Sequence, residues 1–402
     1  MSSLLPQRIG RKEHGQYYTK QSIGALLVDR LDHQEVKTAI EFGVGPGALL
    51  NEVHRRWPQA NCVSVDIDPK HRQVSRGSRA HFCADALEPD ISTRIGVEPE
   101  SADLAVCNPP FITPVWRPDF ERILSRTGLL PTHTAAGFGA DLLFLAQNLW
   151  MLRRHGQLGI IVPSGIICGE RSQPLREWLL DRHCISEVIE LPAGSFSGTE
   201  VKTFVLRLTK DKASSAKIRL SRVSAKGTVS PPIRVTQEEA CYRLDYTFHE
   251  ADLYRGGWGH DPDGTNLQVV RGNITAGSAA DLGIRFVHTT DITSSTAQTL
   301  RLGRISAALR QQYITAKKGD VLIARVGRDF FKKVAIVESG ERIVSDCLFV
   351  LRSERYSAQQ IQRALMSKKG CQWLSTHSRG ACARFITKHD LETFPLKRIL
   401  GA

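Results

Sequence analysis

Residues 40–47 read IEFGVGPG: a short apolar run closes on the acid Glu41, and Gly43, Gly45 and Gly47 crowd the turn before a helix-like stretch that reaches Trp57. Strand, glycine-rich turn and helix, in that order, form the unit from which open α/β sheets are wound. Glycine tolerates positive φ and lets backbone approach a ligand, and the helix N-terminus offers amides to an anion. Such a turn also serves purely structural ends, so its weight comes from its surroundings.

The surroundings repeat the unit. TAIEF starts at Thr38, and NCVSVDID (61–68), AHFCAD (80–85), DLAVC (103–107), QLGIIVP (157–163), CISEVIEL (184–191) and VKTFVLRL (201–208) follow, separated by helical segments that include 140–154 and 173–182. Apolar strands alternating with helices predict parallel pairing through right-handed crossovers. The fold class is therefore α/β, a doubly wound Rossmann-like sheet whose ligands bind at the carboxyl ends of the strands. TKDKASSAK (209–217) reads as a loop or domain edge. Beyond Tyr242 the alternation gives way to loops such as GGWGHDPDGT (256–265), short β-like runs (VLIAR, KKVAIV, IVSDCLFVL) and one helix-like segment at 357–369. Two domains are expected, 1–241 and 242–402, the second α+β.

Acids recur at the predicted strand ends. Asp66 closes the second strand, where a carboxylate binds ribose hydroxyls in nucleoside sites, and Asp85 closes the third, where it can accept from an adenine amino group. With Glu41, three successive strands end on an acid, which is the pattern of a nucleoside cofactor.

Asn108-Pro109-Pro110-Phe111 stands directly after DLAVC and carries the chemistry. An aromatic amino group is a poor nucleophile because its lone pair is delocalised into the ring. Hydrogen bonds to the Asn108 side-chain oxygen and the Pro109 carbonyl would localise that pair and aim it at an electrophilic methyl. Phe111 would stack on the base, and the two prolines would hold both acceptors rigid.

Charge divides the chain in two. Residues 1–209 hold 23 Lys+Arg against 23 Asp+Glu, and residues 210–402 hold 31 against 18, so the whole net charge of +13 lies in the second half. A neutral catalytic half followed by a basic half suggests a polyanionic partner, most simply nucleic acid. At 41% hydrophobic, 24% charged and 7% aromatic, the chain is neither disordered nor a disulfide scaffold. Its nine cysteines include no CxxC pair, so they are expected to be reduced and mostly buried. No apolar run is long enough for a membrane span and no secretory signal precedes the first motif, which predicts a cytoplasmic location.

With these residues in view, the chain resembles the S-adenosylmethionine-dependent DNA adenine-N6 methyltransferases of restriction-modification type, in the arrangement where a target-recognition domain follows the catalytic one. The motif order covers most of residues 10–210. GQYYT (15–19) resembles the motif whose threonine helps hold the methionine part of the cofactor, which assigns Tyr18 and Thr19 to it. EFGVGPG resembles the cofactor loop, with Glu41 and Phe42 where Asp-Pro is frequent, and gives Glu41, Gly43 and Gly45. DID (66–68) corresponds to the ribose-binding acid with Ile67 beside it, and ADA (84–86) to the adenine-binding motif, Asp85 and Ala86. NPPF is then the catalytic tetrad, with Asn108 also at the cofactor. LPAGSFSGTEVKTFVLRLTK resembles the late motif, in which Phe196 contacts the flipped base opposite the stack.

Less closely, the C-terminal part resembles the target-recognition domains of type I specificity subunits, through YRLDYTFHEA (242–251), KKGDVLIARVGR (317–328) and ACARFITKHDLETFPL (381–396). The resemblance implies N6-methyladenine as product, a flipped target base, double-stranded DNA as partner, a separate cognate restriction endonuclease, and no metal. Phosphate contacts are expected from Arg325, Arg328, Lys332, Lys333, Arg379 and Arg384. The short stretch before GQYYT, without the long helical extension of type I modification subunits, points to a self-sufficient enzyme.

Other readings stay open. NPP-aromatic tetrads also occur in enzymes acting on ribosomal RNA or on a glutamine side chain, and an RNA duplex would satisfy the charge argument equally. A non-catalytic DNA-binding subunit would keep the fold without the chemistry, against which the intact tetrad and loop both count. The acid-x-Lys pattern of a nuclease occurs as EVK at 35–37 and 200–202, both inside methyltransferase elements.

Overall fold

Thr38–Phe42 (β1) lies between Asn61–Asp66 (β2) and Ala102–Cys107 (β4), both parallel to it, with Ile40 opposite Val63 on one side and Ala105 on the other. In this computed structural model residues 18–74, 79–129, 139–196, 201–253, 267–293, 297–380 and 383–401 are described. The chain divides into two compact units, 1–246 and 247–402.

The remaining strands of the first unit are β3 (Arg79–Cys83), β5 (Leu152–Pro163), β6 (Cys184–Glu190), β7 (Thr203–Thr209), β8 (Ile218–Arg222) and β9 (Ile233–Val235). They form one nine-stranded sheet in the order β3-β2-β1-β4-β5-β7-β6-β8-β9. Helices α1 (Gln21–Asp29) and α2 (Ala48–Arg56) cover one face, bringing Leu27, Leu50 and Val53 against Ala39, Leu104, Val106 and Ile161. Helices α3 (Ile91–Ile95), α4 (Asp119–Arg126) and α5 (Ala140–Met151) and, after the short α6 (Ser164–Cys168), α7 (Gln173–Arg182) cover the other. There Ile123, Leu145 and Leu179 meet Ile40, Phe42, Ala105 and Ile160. Because successive side chains of a strand point to opposite faces, a sheet clad on both sides is apolar at nearly every position, as β4 is but for Asp103 and as β5 is from Leu158 onward. This is the doubly wound architecture expected.

Three details differ from the expectation. Strand β7 runs antiparallel, inserted between β5 and β6. A parallel return needs a crossover, commonly a helix, and the described residues between β6 and β7 contain none, so the chain folds straight back. The helix expected to reach residue 154 ends at Met151, where Leu152 joins the sheet opposite Ala102. Arg153 accordingly lies on β5, where its Nε donates to Asp103 at 2.6 Å. TKDKASSAK is a loop but not a domain edge, since β8 and β9 extend the same sheet beyond it.

The second unit contains β10 (Gln268–Arg271), β11 (Phe286–Val287), β12 (Gln298–Arg301), β13 (Thr315–Lys317), β14 (Val321–Ala324), β15 (Val334–Ser339), β16 (Glu341–Val344) and β17 (Leu348–Arg352). They form a five-stranded sheet, β10-β17-β14-β15-β12, and a three-stranded one, β11-β16-β13. Its core joins Leu322, Ile323, Phe349 and Val350 to Trp373, Leu391 and Phe394 of the C-terminal helical segments. The GGWGHDPDGT loop, Gly15 to Tyr17 of GQYYT, Glu200 and Cys382 lie outside the described residues. The cysteines among the described residues are free, with Cys62, Cys107, Cys168 and Cys184 buried and Cys83 exposed, a more even division than expected. No helix among the described residues is long and apolar enough to cross a membrane.

Candidate active site

Parallel β3, β2, β1 and β4 deliver their carboxyl ends to one edge of the sheet, and a cleft partly open to solvent lies there. Tyr18, Thr19, Glu41, Gly43, Gly45, Asp66, Ile67, Asp85, Ala86 and Asn108 all line it, and so do Pro109 and Pro110. Residues spread over ninety positions of sequence are thus brought to one wall.

The loop after β1 turns on glycine. Gly43 and Gly45 have φ of +74° and +52°, in the left-handed region that an L side chain enters at a cost. At Gly45 a Cβ would also stand 3.4 Å from the Tyr18 ring. The Gly45 amide donates to Asp66 Oδ2 at 2.7 Å, and the Asp68 amide to Oδ1 at 2.8 Å. Two backbone donors therefore set the orientation of Asp66. Ile67 beside it is 53% exposed, an apolar surface left open at the cleft wall.

Glu41 is 2% exposed, and its Oε2 is buried with no hydrogen-bond partner among the described residues. Burial pushes its carboxyl well above the ordinary value, and the nearby Asp66 adds to the rise. A carboxylate so placed calls for a cationic or hydrogen-donating group from a ligand.

On the third strand end, Asp85 Oδ1 accepts from the Leu87 amide at 2.9 Å, and Oδ2 accepts from Arg117 Nη1 at 2.9 Å. The backbone of this loop is held from α5, where the fully buried Gln147 donates to the carbonyls of Ala86 and Glu88 at 2.9 and 3.0 Å. On the fourth, Asn108 Nδ2 donates to Thr19 Oγ1 at 3.0 Å. With its nitrogen committed there, the amide carries its oxygen as the acceptor end.

Phe111 and Phe196 are not on the cleft wall. Their rings meet edge to face, 6.3 Å between centroids, and Phe196 is 2% exposed within the core. This corrects the expectation that Phe196 presents itself to a base: here it supports Phe111 from behind. Pro46, His71, Leu87, Ile112 and Phe144 line the cleft without having been anticipated. Leu87 adjoins the ADA motif and Pro46 the glycine loop, so position relative to a motif could have found them. His71 and Phe144 carry no such signal, because a short helical turn and α5 bring them in.

The residues expected to hold phosphates fare unequally. Arg328 and Lys332 are exposed. Arg325 Nε donates to the Asp346 carbonyl, Lys333 Nζ to the Thr289 carbonyl, and Arg384 to Ser375 and Ser378, so these three are largely occupied within the fold. Arg379 is a correction: it is 3% exposed and paired with the buried Asp390 at 3.1 Å, out of reach of any phosphate.

Comparison with known proteins places the chain in a family. The N-6 DNA methylase family model matches residues 7–230. A ribosomal RNA small subunit methyltransferase C of Pseudomonas putida (strain W619) is 34% identical over 158 residues, 39% of this chain and 40% of that protein. The methylase subunit of the type I restriction enzyme MpnII of Mycoplasma pneumoniae is 35% identical over 74 residues, 18% of this chain and 14% of that one. The chain therefore spans well under half the length of these relatives. Among solved structures, the type IIG restriction endonuclease BpuSI is similar in fold, with a TM-score of 0.51 over 96% of this chain and 59% of that one at 12% identity.

Proposed function

The chain belongs to the N-6 DNA methylase family, and from that premise we propose that it is a site-specific DNA adenine-N6 methyltransferase, the modification enzyme of a restriction-modification system. The observation that carries the reading is the position of Asn108: it stands at the end of β4 on the same cleft wall as Glu41, Asp66 and Asp85, its amide oriented by Thr19.

The methyl donor is S-adenosylmethionine, whose sulfonium supplies an already activated methyl group. The residues present fit it. Glu41, buried with an unpartnered oxygen, suits the ammonium of the methionine part, which Tyr18 and Thr19 flank. Asp66 and the glycine loop suit the ribose, Ile67 offers an apolar face to adenine, and Asp85 with Ala86 suits the exocyclic amino group.

On the acceptor side, Asn108 and the Pro109 carbonyl take hydrogen bonds from the target amino group, so that nitrogen's lone pair is localised and directed into the cleft. Phe111, backed by Phe196, stacks on the base, and Pro109-Pro110 keeps the acceptors from relaxing away. An adenine within a duplex cannot reach this cleft, so it is extruded at a cost of about a few kcal/mol, offset by stacking. The basic excess of residues 210–402 supplies phosphate contacts, with Arg328 and Lys332 exposed for it.

RNA is the second reading, favoured by the names of the ribosomal RNA methyltransferase relatives. Methyl transfer from labelled S-adenosylmethionine to unmethylated genomic DNA and to RNA, with Asn108→Ala alongside and the product mapped by modification-sensitive sequencing, separates them. N6-methyladenine at one recurring DNA motif, absent with the variant, is expected; transfer to RNA alone overturns the DNA assignment.

A further inference from the structure

Arg117 lies on the segment that leads from the NPPF tetrad into α4. Its Nη1 donates to Asp85 Oδ2 at 2.9 Å, its Nη2 donates to the Leu87 carbonyl at 3.3 Å, and its guanidinium lies over the Phe120 ring, 4.7 Å from the centroid. Phe120 is 2% exposed, a fixed core platform. Asp85, Ala86 and Leu87 line the cleft, and Arg117 is not among its lining residues. The cation therefore approaches Asp85 from outside the ligand's space.

We propose that Arg117 is the positioning residue that makes Asp85 selective for a neutral purine amino group; the proposal rests on the reading of Asp85 as the acid facing the cofactor's adenine. An unpaired carboxylate in a half-enclosed pocket is best satisfied by a cation, and its side chain turns freely about two torsions. The adenine amino group is neutral and a modest donor. Arg117 removes that mismatch in two ways. It balances the carboxylate's charge without occupying the cleft, and together with the Leu87 amide it pins both oxygens, so their remaining lone pairs point in a set direction. Hypoxanthine, with a carbonyl oxygen where adenine has its amino group, would set acceptor against acceptor. Loss of Arg117 frees Asp85 Oδ2 and the Leu87 carbonyl, while Gln147 still holds the loop backbone at the carbonyls of Ala86 and Glu88.

The test is calorimetric binding of S-adenosylhomocysteine and S-inosylhomocysteine to the full chain, in the wild type and in Arg117→Ala, Arg117→Lys and Asp85→Ala. The wild type is expected to prefer the adenine form by about tenfold or more. R117A weakens binding of the adenine form about tenfold and shrinks the preference, and R117K, which keeps a cation, restores part of both. Arg117 is 43% exposed, so R117A is expected to melt with the wild type, which separates the effect from loss of fold. If R117A keeps the full preference while D85A loses it, the role of Arg117 is overturned and the reading of Asp85 stands. If D85A itself keeps the preference, the reading of Asp85 fails and the proposal with it.

Discussion

The side-chain amide of Asn108 donates to the hydroxyl oxygen of Thr19 at 3.0 Å, joining residues 89 positions apart. One belongs to the tetrad after β4, the other to the segment that enters α1. The bond commits the amide nitrogen and so decides which end of Asn108 faces an incoming donor.

Thr19→Val removes that acceptor at nearly constant volume. A neutral hydrogen bond contributes about 0.5–1.5 kcal/mol net, so methyl transfer should slow by up to about tenfold. Asn108→Ala should abolish transfer. Single-turnover rates beside equilibrium binding of S-adenosylhomocysteine would show it: equal rates for T19V and wild type would remove the orienting role from Thr19.

Glu41 ties stability to pH. Burial raises its carboxyl well above the ordinary value of 4.5, so over the interval above 4.5 the folded chain holds a proton that the unfolded chain has lost. Stability from this group is full below the ordinary value and falls as pH rises through the folded one. Glu41→Gln, neutral throughout, should raise the melting temperature of the ligand-free protein at neutral pH and flatten its decline, while weakening cofactor binding. Melting curves of both proteins between about pH 5 and pH 8 check the sign; parallel curves would sink it.

Arg379 and Arg328 should separate fold from binding. Arg379→Ala leaves Asp390 buried without its cation, which costs about 3–5 kcal/mol. Arg328→Ala and Lys332→Ala should leave melting unchanged and weaken DNA binding, each lowering the slope of log affinity against log salt by about one. The assignment of these two side chains to phosphates is falsified if the salt slope is unchanged in the double variant.

Phe196→Ala empties a fully buried site and should cost about 3–5 kcal/mol. If its main role is to support Phe111, Phe196→Leu, which refills most of the space, should recover stability and most of the capture of a fluorescent base analogue at the target position. Recovered stability without recovered capture would return Phe196 to direct contact with the base.

Much of this was legible in the chain because the informative residues sit where local pattern is strongest. A strand end followed by glycines, or by Asn-Pro-Pro-Phe, is visible in a window of eight residues, and parallel strands must deliver such ends to one edge. The antiparallel β7 was not legible: VKTFVLRL has the same apolar pattern whichever way it runs, and only the absence of a described helix after β6 decides. Arg379 misled for a similar reason, since a buried arginine paired with an aspartate and an exposed arginine look alike in a row of basic residues.

What the order of residues determined by itself is the doubly wound sheet, the cleft-lining acids and the place of the Asn-Pro-Pro-Phe tetrad at a strand end, because each depends on short-range periodicity or on neighbours in the chain. Tertiary structure alone decided that Thr19 orients Asn108, that Gln147 and Arg117 brace the loop carrying Asp85, and that Phe196 stands behind Phe111. Those partners are distant in sequence, and a hydrogen bond or a ring contact reaches only a few ångströms, so each exists only once the sheet and its two helical layers have closed.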